Sequence, residues 1–186
     1  MQLFWRQGYE GTSTAQLTAA MGIAAPSLYA AFGSKEALYR ETLLHYQSRF
    51  GQTMDSLSDE RLTAREAVQQ MLLAAAKQYT DAQHIAGCMV ATAAIQHAPE
   101  HLALAQTLTE ARKAAQAKIQ QCLQRGFERG ELAVGVDVAA LAQFFALVIQ
   151  GLAVQARDGA NTEQLLCVVS IAMRCMPSVL AGSDRT

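Results

Sequence analysis

The chain has 186 residues, 51% of them hydrophobic, enough for one large domain or for a small domain joined to a larger one. Its 15 Lys and Arg against 16 Asp and Glu leave a net charge of -1, so no global charge draws it to a polyanion, and any nucleic-acid surface must be local. There is no basic, apolar leader and no uninterrupted apolar run of spanning length, and the four cysteines show neither C-x-x-C spacing nor scaffold density; these features predict a cytoplasmic protein with free thiols and no membrane partner.

The apolar spacing is helical throughout and no alternating β-branched run is bounded by hairpin turns, which predicts an all-α fold. "LFWRQGY" reads as the tail of a helix ending at Gly8. Ser13 and Gln16 form a capping box for a second helix that stops at Gly22, and a third runs from Ala25 to Ala31, with Pro26 tolerated in its first turn. Two short helices joined by a tight glycine-containing turn make a helix-turn-helix, and Leu3, Phe4, Tyr9, Leu17, Met21, Ile23, Leu28 and Phe32 are its expected core. Ser34 caps a fourth helix that reaches Phe50. Longer helices are predicted over 64–81, 86–97, 100–129, 137–158 and 161–176, so the chain divides into an N-terminal unit, 1–50, and a helical bundle, 51–186.

The last two helices are apolar nearly all round: 14 of 17 residues from Val138 to Val154 and 10 of 14 from Glu163 to Met176. Such helices need cover on more than one side, which points to a homodimer in which this pair meets its symmetry mate. The residues expected there are Leu141, Phe145, Leu152, Leu165, Val169, Ala172 and Met176. The alternative is that the pair forms the centre of a monomer.

The stretch "LFWRQGYEGTSTAQLTAAMGIAAPSLYAAFGSKEALYRETL" resembles the DNA-binding domain of the TetR family of transcriptional regulators, through Leu3, Phe4, Gly8, Tyr9, Thr12, Ser13, Gly22, Leu28, Tyr29, Phe32, Lys35, Glu36 and Leu38. "GC" at 87–88, "RGFERGEL" at 125–132 and "GLAVQARDGA" at 151–160 are similar to that family's ligand-binding bundle. The resemblance implies a repressor that binds a double-stranded operator and is released by a small-molecule effector. It makes the helix from Ala25 the recognition helix and assigns Thr12, Ala24, Ala25, Pro26, Ser27, Tyr29 and Lys35 to DNA, the hydroxyls and the ammonium serving phosphates.

Two departures from the family pattern stand out. Ala24 and Ala25 occupy positions where members often carry Ser, Lys or Arg, which leaves readout to Ser27, to alanine methyls and to DNA shape. The chain also begins two residues before Leu3, and residues 1–50 hold four basic against three acidic side chains; a functional protein extended at its N-terminus is the expectation.

An effector pocket with mostly apolar walls is expected among Met71, Ala75, Tyr79, Cys88, Met89, Thr92, Cys122, Phe127, Phe144 and Val148. Arg125, one turn from Cys122, raises a second possibility, that Cys88 or Cys122 senses an oxidant, an electrophile or a metal. His97 and His101 have the spacing of two metal ligands on one helix face, but Pro99 between them marks a helix start, and no metal is expected. No hydrolase, Walker or dinucleotide signature is present, so neither catalysis nor a cofactor is expected. The rival to a DNA-binding regulator is a helical dimer of the same fold that has lost DNA binding.

Overall fold

The computed structural model describes residues 1–93 and 98–177. Eight α-helices account for most of them: α1 (Gln2–Gln7), α2 (Thr14–Met21), α3 (Ala25–Phe32), α4 (Lys35–Phe50), α5 (Ala64–Tyr79), α6 (Leu102–Glu128), α7 (Val138–Arg157) and α8 (Thr162–Arg174). The starts are written in the sequence. Ser13 with Gln16, Thr63 with Glu66 and Asn161 with Gln164 form reciprocal capping boxes, while Ser34 and Asp137 accept from Ala37 N and Ala140 N. A 3-10 segment, Gly51–Ser58, joins α4 to α5 where the sequence predicts only a break.

In the bundle, α5 packs against α6, α7 and α8, and α6 runs along α7. Gly126 permits this approach, because a Cβ there would collide with the Cβ of Ala64. From the same corner Glu131 accepts a hydrogen bond from Ala64 N at 2.6 Å, placing a carboxylate on the start of α5, where the helix dipole favours it.

The N-terminal core is built differently from the expectation. Phe4, Tyr9, Leu17 and Leu28 are buried, but Met21 and Ile23 lie 40% and 37% exposed at the outer end of α2. Their place is taken by Trp5 and by Leu38, Tyr39, Leu43, Tyr46 and Phe50 of α4, in an aromatic cluster with Phe4–Tyr39 and Trp5–Tyr46 ring centroids each 4.9 Å apart in edge contact. Met89, Ala93, Leu104 and Leu108, from the loop after α5 and from α6, complete this cluster.

The helix predicted over 86–97 does not form across 86–93, which are turns, and 94–97 fall outside the described residues. The reason is tertiary. Arg112 Nη1 donates to the carbonyls of Val90 and Ala93, both at 3.2 Å, and Gly87 with φ +83 sits where a Cβ would meet Ala153 O at 2.7 Å. A distant guanidinium thus serves carbonyls of this segment, and the chain turns to bury Met89 and Ala93.

Candidate nucleic-acid interface and effector cavity

Helix α3 is held by one face and open on the rest. Leu28 is fully buried, whereas Ala24, Ala25, Pro26, Ser27, Tyr29 and Ala30 are exposed. Gly22, with φ 66 and ψ 29, supplies the left-handed residue that ends α2 and turns the chain into α3. Ala24 occupies the N-cap without a side-chain hydrogen bond, so the first N–H groups of α3 have no capping side chain.

The expected phosphate ligand Thr12 is corrected. It is fully buried, and its hydroxyl donates to Gly8 O at 2.7 Å, tying α1 to the turn before α2. A hydroxyl spent in this way is withdrawn from any ligand. Lys35 is half-buried with its Nζ 4.2 Å from the Tyr9 ring centroid, a cation–π contact; burial lowers its pKa and Glu10 acts in the opposite direction. Ser13 is a cap only, since its Oγ accepts from Gln16 N at 3.1 Å.

A cavity of about 370 Å³ opens between α4, α5, α6 and α7, lined among others by Tyr46, Phe50, Tyr79, Cys88, Ile119 and Ile149. Of the expected effector contacts it takes Tyr79 and Cys88. Burial raises the phenol pKa values of Tyr46 and Tyr79, and the neighbouring Cys88 adds to both. A second cleft, of about 520 Å³, lies between α1, the loop after α5 and the C-terminal end of α7, and takes Met89 and Thr92.

The other expected contacts are displaced. Met71, Ala75 and Cys122 are sealed in the bundle core, Phe144 and Val148 pack against that core from outside, and Phe127 is 37% exposed on the outer side of α6. Burial pushes the Cys122 thiol pKa up against the opposing pull of Arg125, the reverse of what a reactive thiolate needs. His97 lies outside the described residues. His101 instead faces Glu10 at 3.6 Å and meets the Tyr9 ring edge-on.

All seven residues expected between subunits are buried inside the protomer, from Phe145, fully buried, to Leu141 at 9% exposure. They face α5 and each other within one chain. The opposite side of the pair carries the exposed apolar surface: Leu147 at 62%, Val154 at 41%, Val168 at 45% and Ile171 at 63%, with Gly151 and Cys167 between them. By length and composition α7 is also long and apolar enough to cross a membrane, but a full side of it is packed into the bundle.

One connection between the two ends of the molecule gave no sequence signal. Arg157, at the end of α7, donates from Nη1 to Trp5 O at 2.9 Å and from Nη2 to Arg6 O, taking up terminal carbonyls of α1. Glu10 adds a contact to Ala98 N at 3.3 Å.

Comparison with known proteins accords with this architecture. Residues 1–42 match the family described as bacterial regulatory proteins, tetR family, and residues 64–165 match the tetracyclin repressor-like C-terminal domain. The chain is 34% identical over 181 residues to the HTH-type transcriptional repressor ComR of Escherichia coli strain K12, covering 97% of this chain and 86% of that one. It is 31% identical over 179 residues to the repressor BdcR of the same organism, covering 96% and 85%. Among solved structures it is similar to the TetR family regulator CifR, a cysteine mutant complexed with 26-base-pair operator DNA, with a TM-score of 0.90, 42% identity and coverage of 95% and 92%. With both halves matched in order, this chain belongs to the TetR family of transcriptional regulators.

Proposed function

We propose that this protein is a cytoplasmic transcriptional repressor that binds an operator as a homodimer and leaves it when a small molecule occupies the cavity between α4 and α7. Residues 1–50 are the DNA-binding unit and 51–186 the sensing and dimerisation unit. The observation that carries the reading is the open face of α3: Ala24 to Ser27, Tyr29 and Ala30 exposed around a buried Leu28, in a chain 42% identical to a regulator solved on operator DNA. Ala24, Ala25, Pro26 and Ser27 then meet base edges from the N-terminal end of α3, and Tyr29 and Lys35 serve phosphates.

The stripe of Leu147, Gly151, Val154, Val168 and Ile171 is the subunit interface in this reading, since an apolar face continuous across two helices favours cover by its own symmetry mate. The effector is a compact, largely apolar molecule with a polar group for the Tyr46, Tyr79 and Cys88 corner. Trp5 packs its ring on Tyr46 and Phe50, both of which line that cavity, so a ligand that shifts α4 also shifts α1.

Fluorescence anisotropy on DNA from upstream of the gene and on a random duplex pool, at two salt concentrations, tests the reading. Tight binding that weakens steeply with salt is expected. A dimer that binds neither DNA at low salt would overturn it in favour of a sensor that has abandoned DNA.

A further inference from the structure

The segment that forms α2, the turn and α3 is unusual in what it lacks. From Ser13 to Phe32 there is no Lys, Arg, His, Asp, Glu or Asn, and the one long polar side chain is Gln16. Its Oε1 is engaged, accepting from Ser13 N at 2.8 Å in the α2 capping box, so the oxygen half of its donor–acceptor fork is tied to its own helix. Thr18 is engaged as well, donating to Thr14 O at 3.1 Å and Ala15 O at 3.0 Å. The forked donors and acceptors that read guanine or adenine bidentately in the major groove are therefore missing from the element that would enter it.

What α3 does expose is a small apolar surface with two hydroxyls. Ala24, Ala25, Pro26 and Ala30 offer methyl and methylene groups, and Ser27 and Tyr29 one hydroxyl each. Alanine side chains also let the helix backbone approach the groove floor more closely than Lys or Arg would. In the major groove the matching group is the C5 methyl of thymine, the one apolar feature that a standard base pair presents there.

Resting on the DNA-binding reading above, we propose that α3 recognises its half-site chiefly through thymine methyl groups. The base pairs beneath Ala24, Ala25, Pro26 and Ala30 are A·T or T·A with the methyl toward the helix, while Ser27 adds a single hydrogen bond at a base edge and Tyr29 one to a phosphate. No bidentate guanine contact from α3 contributes to specificity.

The test uses the intact dimer and a duplex selected from a random pool. Each thymine of the selected half-site is replaced singly by deoxyuridine, which removes only the C5 methyl and keeps pairing and backbone charge. Loss of about three- to fivefold in affinity is expected at two or more neighbouring positions, the yield of removing roughly one buried methyl from an apolar contact. The dependence of affinity on salt should not change, since no phosphate contact is lost. Ala25→Gly should abolish the uridine effect at one position and leave the others.

Three outcomes would count against the proposal. If the selected duplex binds with steep salt dependence but no thymine is sensitive, methyl readout is wrong and the regulator reading stands. A half-site dominated by invariant G·C pairs under α3 would likewise overturn methyl readout and leave the regulator reading intact. If no duplex is selected at all, the proposal falls together with the reading on which it rests.

Discussion

The guanidinium of Arg157, the last residue of α7, donates to the main-chain oxygen of Trp5 at 2.9 Å, so the C-terminal end of the bundle's most apolar helix is fastened to the first helix of the chain. The side chain of Trp5 meanwhile packs on Tyr46 and Phe50 at the cavity wall. Backbone and side chain of one residue thus join α1 to two different helices, α7 of the bundle and α4 of the N-terminal unit.

Arg157→Met should cost about 1–2 kcal/mol of stability, the low end for two charge-assisted bonds because the side chain is exposed. Operator affinity should fall roughly three- to tenfold as α1 loosens. Urea melts and anisotropy read the two effects, and unchanged affinity would show that the contact is structural only.

Ile171→Asp on the exposed stripe should convert dimer to monomer, weakening association roughly a hundredfold or more, because an unpaired charge would be buried. Leu165→Ala, on the inward side of the same helix, should instead cost about 2–5 kcal/mol of stability and leave the association of folded protomers unchanged. Sedimentation velocity at several concentrations separates the two. An Ile171→Asp dimer as tight as the parent would place the interface elsewhere.

Thr12→Val should lower stability by about 1–3 kcal/mol, since Gly8 O would be left without its buried donor. The slope of log affinity against log salt should be that of the parent, because the Thr12 hydroxyl is buried and donates to Gly8 O. A slope reduced by about one contact would restore Thr12 to the DNA surface.

Alkaline stability follows from the buried phenols. Burial pushes Tyr39 up to about 12 from an ordinary 10.0 and also raises Tyr9 and Tyr79. Below about pH 10 both folded and unfolded chains keep these protons, and stability does not depend on them. Above it the unfolded chain releases protons that the folded one retains, so stability falls as pH rises toward 12. Helical circular dichroism and tyrosinate absorbance should therefore change together between pH 10 and 12. Ionisation of the buried phenols near pH 10 with helix intact would contradict the packing around Tyr39.

Local chemistry made the helices legible. Ser13 with Gln16 and Ser34 are caps that can be read one residue at a time, and they act as caps in the structure, while the helix starts read at 137 and 161 fall on the caps Asp137 and Asn161. Sidedness was not legible in helices apolar on every face. Leu165 and Ile171 are equally good hydrophobes, and only the position of α5 decides that the first is buried and the second open. The same holds for Thr12, whose hydroxyl suits a phosphate by type and a carbonyl by position, and for 86–93, where Arg112 supplies donors from another helix. In the cavity, Tyr79 and Cys88 were found from residue type, whereas Phe50, Ile119 and Ile149 are apolar residues with nothing local to distinguish them from core.

The Arg157 contact spans 152 residues of sequence, and this sets an order of events during synthesis. At about 5–20 residues per second, Trp5 waits roughly eight to thirty seconds for its partner to be made. During that interval Phe4, Tyr39 and Leu28 can already gather, being within a few dozen residues of one another, while the carbonyls of α1 face only water. The N-terminal helices of each nascent chain can thus assemble early but are fastened late, by a residue translated after every helix of the bundle except α8.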